Sequence, residues 1–119
     1  MRPASFPRAA RLRLPSEFNH VFRDGTRSSD ACFVVLASMN GGQGARLGVA
    51  VAKKTVAGAA KRSRIKRAVR ESFRLNRALL PAVDVVVQAR VAARQREAAD
   101  LRASLDWHWQ ELIKRCAKS

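Results

Sequence analysis

The chain has 119 residues, with 24 Lys plus Arg against 9 Asp plus Glu, a formal net charge of +15 and a pI near 11.7. No apolar run approaches the roughly 20 residues of a membrane span, and two distant cysteines make no disulfide scaffold. An apolar fraction of 47% suffices for one folded domain over 1–119, expected in the cytoplasm, and the positive excess points to a polyanionic partner.

In chain order, 1–13 read as a flexible basic arm, with Pro3 and Pro7 opposing helix and Arg2, Arg8, Arg11 and Arg13 supplying charge. Pro15-Ser16-Glu17 marks a helix start, Phe18, Val21 and Phe22 follow at i, i+3, i+4, and Gly25 ends the helix. Rings at this spacing are ordinarily core; beside basic strand residues such as Lys53 and Lys54, the alternative is stacking on single-stranded nucleotides. Cys32 to Ser38 is a β-branched and aromatic strand, and Leu47 to Ala52 a second, alternating large and small apolar residues. Asn40 to Gly44 between them reads as a hairpin turn; its glycines lack the Lys-Ser/Thr ending of a phosphate loop.

A basic helix is expected to begin between Thr55 and Gly58 and to stop before Pro81. At about 100° per residue, Ile65, Ala68, Val69, Ser72 and Leu79 share one side, with Phe73 at their edge, while Lys66, Arg67, Arg70, Arg74 and Arg77 gather opposite. Between Asp30 and Asp84 the only acidic residue is Glu71, so these cations are hardly diluted. Each cation that neutralises a phosphate releases a counterion, so five to seven contacts give a log-log salt slope on the order of −4 to −6.

Asp84 to Val91 reads as a further strand and Gln95 to Cys116 as a last amphipathic helix, with Leu101, Leu105, Leu112 and Cys116 in register and Ala98, Trp109 and Ile113 widening the stripe. Trp109 is expected in the core and Trp107 at its rim, Cys32 and Cys116 as buried thiols, and His20 and His108 as hydrogen-bonded or solvent-facing. Helix, strands, helix, strand, helix is the order of an α+β two-layer sandwich with helices on a small sheet. Strand, basic helix, strand predicts a parallel crossover, by default right-handed. No serine or cysteine has an adjacent base in a recognisable signature and no His, Cys, Asp or Glu cluster has ligand spacing, so neither a catalytic nor a metal-binding residue is expected.

Arg46-Leu47-Gly48-Val49-Ala50-Val51-Ala52-Lys53-Lys54, followed by Ala59-Ala60-Lys61-Arg62-Ser63-Arg64-Ile65-Lys66-Arg67-Ala68-Val69-Arg70-Glu71-Ser72-Phe73-Arg74, closely resembles the bacterial ribonuclease P protein subunit. Arg11-Leu12-Arg13, Glu17 to Gly25 and Asp84 to Arg90 extend the likeness over nearly the whole chain. The resemblance implies the order αβββαβα with a left-handed βαβ crossover, against the general rule. It also implies a protein cofactor of a catalytic RNA that removes the 5′ leader of precursor tRNA, with magnesium bound mainly by the RNA, and neither a membrane nor an obligate protein partner. Carried over by position, Arg62, Arg64, Lys66, Arg67, Arg70 and Arg74 would bind the catalytic RNA, and Phe18, Phe22 and Lys53 the leader, which replaces the core reading of the two rings.

Two positions depart from the family. Ser63 stands where an Asn is usual and loses the amide's paired donor and acceptor; Leu36 stands where a strand tyrosine often faces the leader and offers no π face. A structural RNA-binding protein of another ribonucleoprotein, ribosome-like, shares the charge but not the motif order, and an autonomous nuclease would cleave precursor without RNA.

Overall fold

A computed structural model describes residues 10–12, 15–42 and 44–117, so most of the arm expected over 1–13 lies outside the described residues. The elements are α1 (Pro15–Asp24), β1 (Thr26–Ser29), β2 (Phe33–Met39), β3 (Arg46–Ala50), α2 (Ala59–Asn76), β4 (Val83–Ala89) and α3 (Ala98–Ala117), the order αβββαβα. Strands lie side by side as β1-β2-β4-β3. The β1–β2 and β2–β4 pairs are antiparallel, and β3 and β4 are parallel neighbours joined through α2. No helix among the described residues is long and apolar enough to cross a membrane.

Strand order corrects the hairpin reading of Asn40 to Gly44. Because β4 inserts between β2 and β3, that segment links strands that do not touch, and Asn40 Nδ2 ties it to Gly44 O at 2.7 Å and to Asp84 Oδ1 on β4 at 3.0 Å. The hairpin is β1–β2, whose turn is fixed by Asp30 Oδ1 accepting from the backbone N–H groups of Cys32 and Phe33. Thr26-Arg27-Ser28-Ser29 carries no apolar residue to announce a strand; its polarity suits the sheet edge it occupies.

Alternation gives the sheet two unlike faces. Toward α2 and α3 point Phe33, Val35, Ala37, Leu47, Val83, Val85 and Val87, all buried. Ile65, Val69, Ser72 and Phe73 of α2 and Leu101, Leu105, Trp109 and Leu112 of α3 complete this core. Ser72, the polar member of the stripe, is satisfied there: its Oγ accepts from Trp109 Nε1 at 2.8 Å, and Phe73 meets Trp109 edge to face with centroids 5.9 Å apart. Cys32 is also buried, and Trp107 sits at the rim, as expected. The Cys116 thiol lies outside the described side chains.

Three expectations about element ends are corrected. The basic helix starts at Ala59 and stops at Asn76, so Leu79 falls in a 3-10 turn where the α register no longer holds, and it is 66% exposed instead of joining the stripe. The last strand ends at Ala89, where Arg90 N bonds Cys32 O, and 91–95 form a further 3-10 turn before α3. Ala98, at the first turn of α3, is consequently exposed rather than part of the stripe.

A buried polar network pins α3 to the hairpin. His108, fully buried, has Nδ1 2.8 Å from Ser28 Oγ and Nε2 3.2 Å from Asp30 Oδ1, the latter without hydrogen-bond alignment; Ser104 Oγ donates to Asp30 Oδ2. Burial holds the His108 pKa below its ordinary value against the opposing pull of Asp30.

The opposite face carries α1. Leu12, Val21 and Val86 form a small apolar cluster there with Phe18 and Leu36 at its margin. At one end Arg46 clamps Asp84 through Nε at 2.7 Å and Nη2 at 2.6 Å and reaches Glu17 of α1 through Nη1 at 3.1 Å. Burial works against the Asp84 carboxylate, but hydrogen bonds from Arg46 and Asn40 outweigh it and lower its pKa.

Candidate nucleic-acid interface

Along β3, Arg46, Gly48 and Ala50 point to the α1 side, and small residues leave room for something to lie against the strand. Phe18 takes that room. A Cβ built on Gly48 would stand 2.5 Å from Phe18 Cε1 and 2.7 Å from its Cζ, so the ring rests on bare backbone. One turn along α1, Phe22 is 46% exposed. Phe18 is thus part wall and part core, whereas Phe22 offers its ring to solvent. Lys53 is exposed in the segment after β3, and Leu36 is half-buried in the cluster beside Phe18. Arg11, Leu12, Phe18, Leu47, Gly48, Val49 and Arg70 line a hollow of about 210 Å³.

Around α2 the six basic positions divide by their contacts. Arg62 is half-buried and donates to Val56 O at 3.1 Å, Arg64 donates across to Arg96 O at 3.1 Å, and Arg74 bonds the carboxylate of Glu71. Lys66, Arg67, Arg70 and Arg74 surround a second hollow of about 480 Å³ together with Arg11, Ser63 and Glu71. Arg67 and Arg70 are exposed and make no ion pair among the described residues. Arg77, grouped with these cations by angle, turns away instead and donates from Nε to Ala45 O at 2.9 Å, because the helix has ended by then.

The two hollows meet: Arg11 and Arg70 line both. Arg11 is brought there by the backbone, where 11 bridges Leu47 in parallel and Leu12 N bonds Leu47 O at 2.8 Å, adding a short stretch of chain to the free edge of β3. Arg11 was legible as arm charge and as part of the Arg11-Leu12-Arg13 likeness, but nothing in the residues announced an edge pairing. Gly48 could have been found: a run of Gly and Ala on one side of a strand signals close approach. Among the described residues no group of three or more His, Cys, Asp or Glu is gathered as a metal would require. The arrangement can hold a phosphate backbone along α2 and unstacked bases against the α1 side of the sheet.

Comparison with known proteins gives a consistent result. The family model of ribonuclease P matches residues 6–113. The ribonuclease P protein component of Methylococcus capsulatus is 47% identical over 114 residues, 96% of this chain and 89% of the relative. Among solved structures, a mutant of the Staphylococcus aureus RNase P protein superposes with a TM-score of 0.82 at 32% identity, over 89% of each chain. The Thermotoga maritima RNase P protein gives 0.76 at 33%, over 85% of this chain and 96% of that one.

Proposed function

The chain belongs to the ribonuclease P protein family, and on that premise we propose how it works: α2 grips the catalytic RNA while the α1 side of the sheet receives the 5′ leader of precursor tRNA. It is a protein component of the holoenzyme that processes tRNA 5′ ends. The gripping residues are Arg62, Arg64, Lys66, Arg67, Arg70 and Arg74, with Arg62 and Arg64 also bonded to neighbouring carbonyls, so that their guanidinium groups are held in place. Phe18 and Phe22 present ring surface to unstacked leader bases, and Lys53 pairs with the backbone beyond them.

The observation that carries this reading is the sharing of Arg11 and Arg70 by the two hollows. A leader leaving the cleft over Gly48 meets the same guanidinium groups that face the ribozyme, so one rigid block fixes substrate and catalyst relative to each other. Two polyanions repel at this junction, and the +15 chain offsets that repulsion, lowering the magnesium the complex needs. Magnesium, when bound, supplies hydrolytic chemistry, and in this reading it is held mainly by the RNA. The polypeptide's share is binding and orientation.

Phe22→Ala tests the leader assignment. Precursor tRNA affinity of the reconstituted holoenzyme falls about tenfold, while mature tRNA, which lacks a leader, binds unchanged. Equal losses for both would remove Phe22 from the leader site.

A further inference from the structure

On its other flank α2 borders a third hollow, of about 330 Å³, between itself and α3. Its floor is apolar, made by Ala68 and Leu75 of α2 and Leu101 of α3. Leu75 is 60% exposed on a helix whose outer side is otherwise basic, a cost in water that a ligand would remove. Arg64, Arg67 and Arg102 stand at the rim. Two acids share it, Glu71 and Asp106, but Arg74 already engages the Glu71 carboxylate from outside the hollow. Arg64 is fixed over the opening by its bond to Arg96 O, just before α3 begins.

We propose that this groove takes one unpaired nucleotide of the catalytic RNA, its base against Ala68, Leu75 and Leu101 and its phosphate on the rim arginines. The inference rests on α2 being the helix that holds the RNA subunit, and it adds a site on the flank facing away from the leader. Size favours a nucleotide over a helix: the volume is at the low end of small-ligand pockets, whereas a docked helix needs a trough receiving anchors at i, i+3, i+4 and i+7. Charge favours it over an apolar partner, because three guanidinium groups outnumber the two carboxylates, Glu71 already engaged by Arg74, and with the apolar floor they match an anion carrying a flat ring. Continuity favours the ribozyme as its source, since Arg67 and Glu71 line both this groove and the cationic hollow on the other flank. An RNA strand crossing the crest of α2 at Arg67 reaches both.

Ala68→Phe fills the groove without removing a cation, and Leu75→Asp puts a negative charge at its mouth from an exposed position should the first variant fail to fold. Full-length protein is titrated with the ribonuclease P RNA of its own source, and base reactivity of that RNA is probed with dimethyl sulfate or a carbodiimide. Wild-type protein protects a discrete unpaired base; either variant exposes it and weakens RNA binding about tenfold. Wild-type affinity and an unchanged reactivity pattern in a folded variant overturn the proposal. A change in sedimentation of the protein alone, with RNA binding intact, also overturns it by making the groove an interface between copies. Failure of wild-type protein to bind the RNA at all would instead overturn the assignment of α2.

Discussion

The two faces of the sheet differ in closure, and the proposed function assigns folding to the sealed face and binding to the open one. Toward α2 and α3 the strands present Phe33, Val35, Val85 and Val87, sealed by Phe73 and Trp109 with no access for solvent. Toward α1 the same strands present Gly48 and Val86, buried under Phe18 and Val21, and a half-buried Leu36, with a charged clamp at one end and an exposed Phe22. A four-stranded sheet sealed on one side can leave the other concave, since the core that α2 and α3 close is sufficient to hold it. α2 serves both purposes at once, because its stripe of Ile65, Val69 and Phe73 is fixed in the core and its cations are thereby fixed outside.

The sharpest way to break this division is from the sealed side. Trp109→Ala removes the partner of Phe73 and leaves Ser72 without its donor, and is expected to cost about 3–5 kcal/mol, read by thermal or urea unfolding. Gly48→Ala acts on the open side: a methyl group would collide with the Phe18 ring, so stability falls by about 1–3 kcal/mol and precursor binding weakens. Adding Phe18→Leu to Gly48→Ala should restore stability without restoring leader affinity; recovery of both would mean the ring is packing alone.

The smallest expected effect belongs to the buried imidazole that pins α3 to the β1–β2 hairpin. With the His108 pKa depressed by burial, the unfolded chain binds more protons than the folded one just below the ordinary value of 6.5. Its contribution to stability is complete above that value and is lost as the pH falls toward the folded pKa. Urea unfolding between pH 7.5 and 5 should follow this fall, and His108→Gln should flatten it; an unchanged profile in the variant would place the pH dependence elsewhere.

Much of the sealed face was legible from the chain because its signal is local. Val69, Phe73, Leu101, Leu105 and Trp109 each recur at helical spacing, and a run such as Val83 to Val87 has few other uses. The open face was harder, because it is made by pairings between distant segments. Nothing near Asn40 to Gly44 states that β4 will come between the strands on either side. Nor does Thr26 to Ser29 look like a strand until β2 is beside it. Helical angle correctly grouped Arg67 and Arg70 but also admitted Arg77, because angle alone does not show where the helix stops. The motif resemblance supplied the family and the proposed site residues, while the bridge from Arg11 to Leu47 that brings the two hollows together required the fold.

The central claim is that the outer side of α2 is one cationic surface gripping RNA, with Arg67 and Arg70 at its middle. The most direct measurement is the salt dependence of RNA-subunit affinity for the wild-type chain and for Arg67→Ala/Arg70→Ala. The wild-type log-log slope is expected on the order of −4 to −6, and the double variant should bind more weakly with a slope shallower by about 2. Unchanged affinity and an unchanged slope would contradict the account.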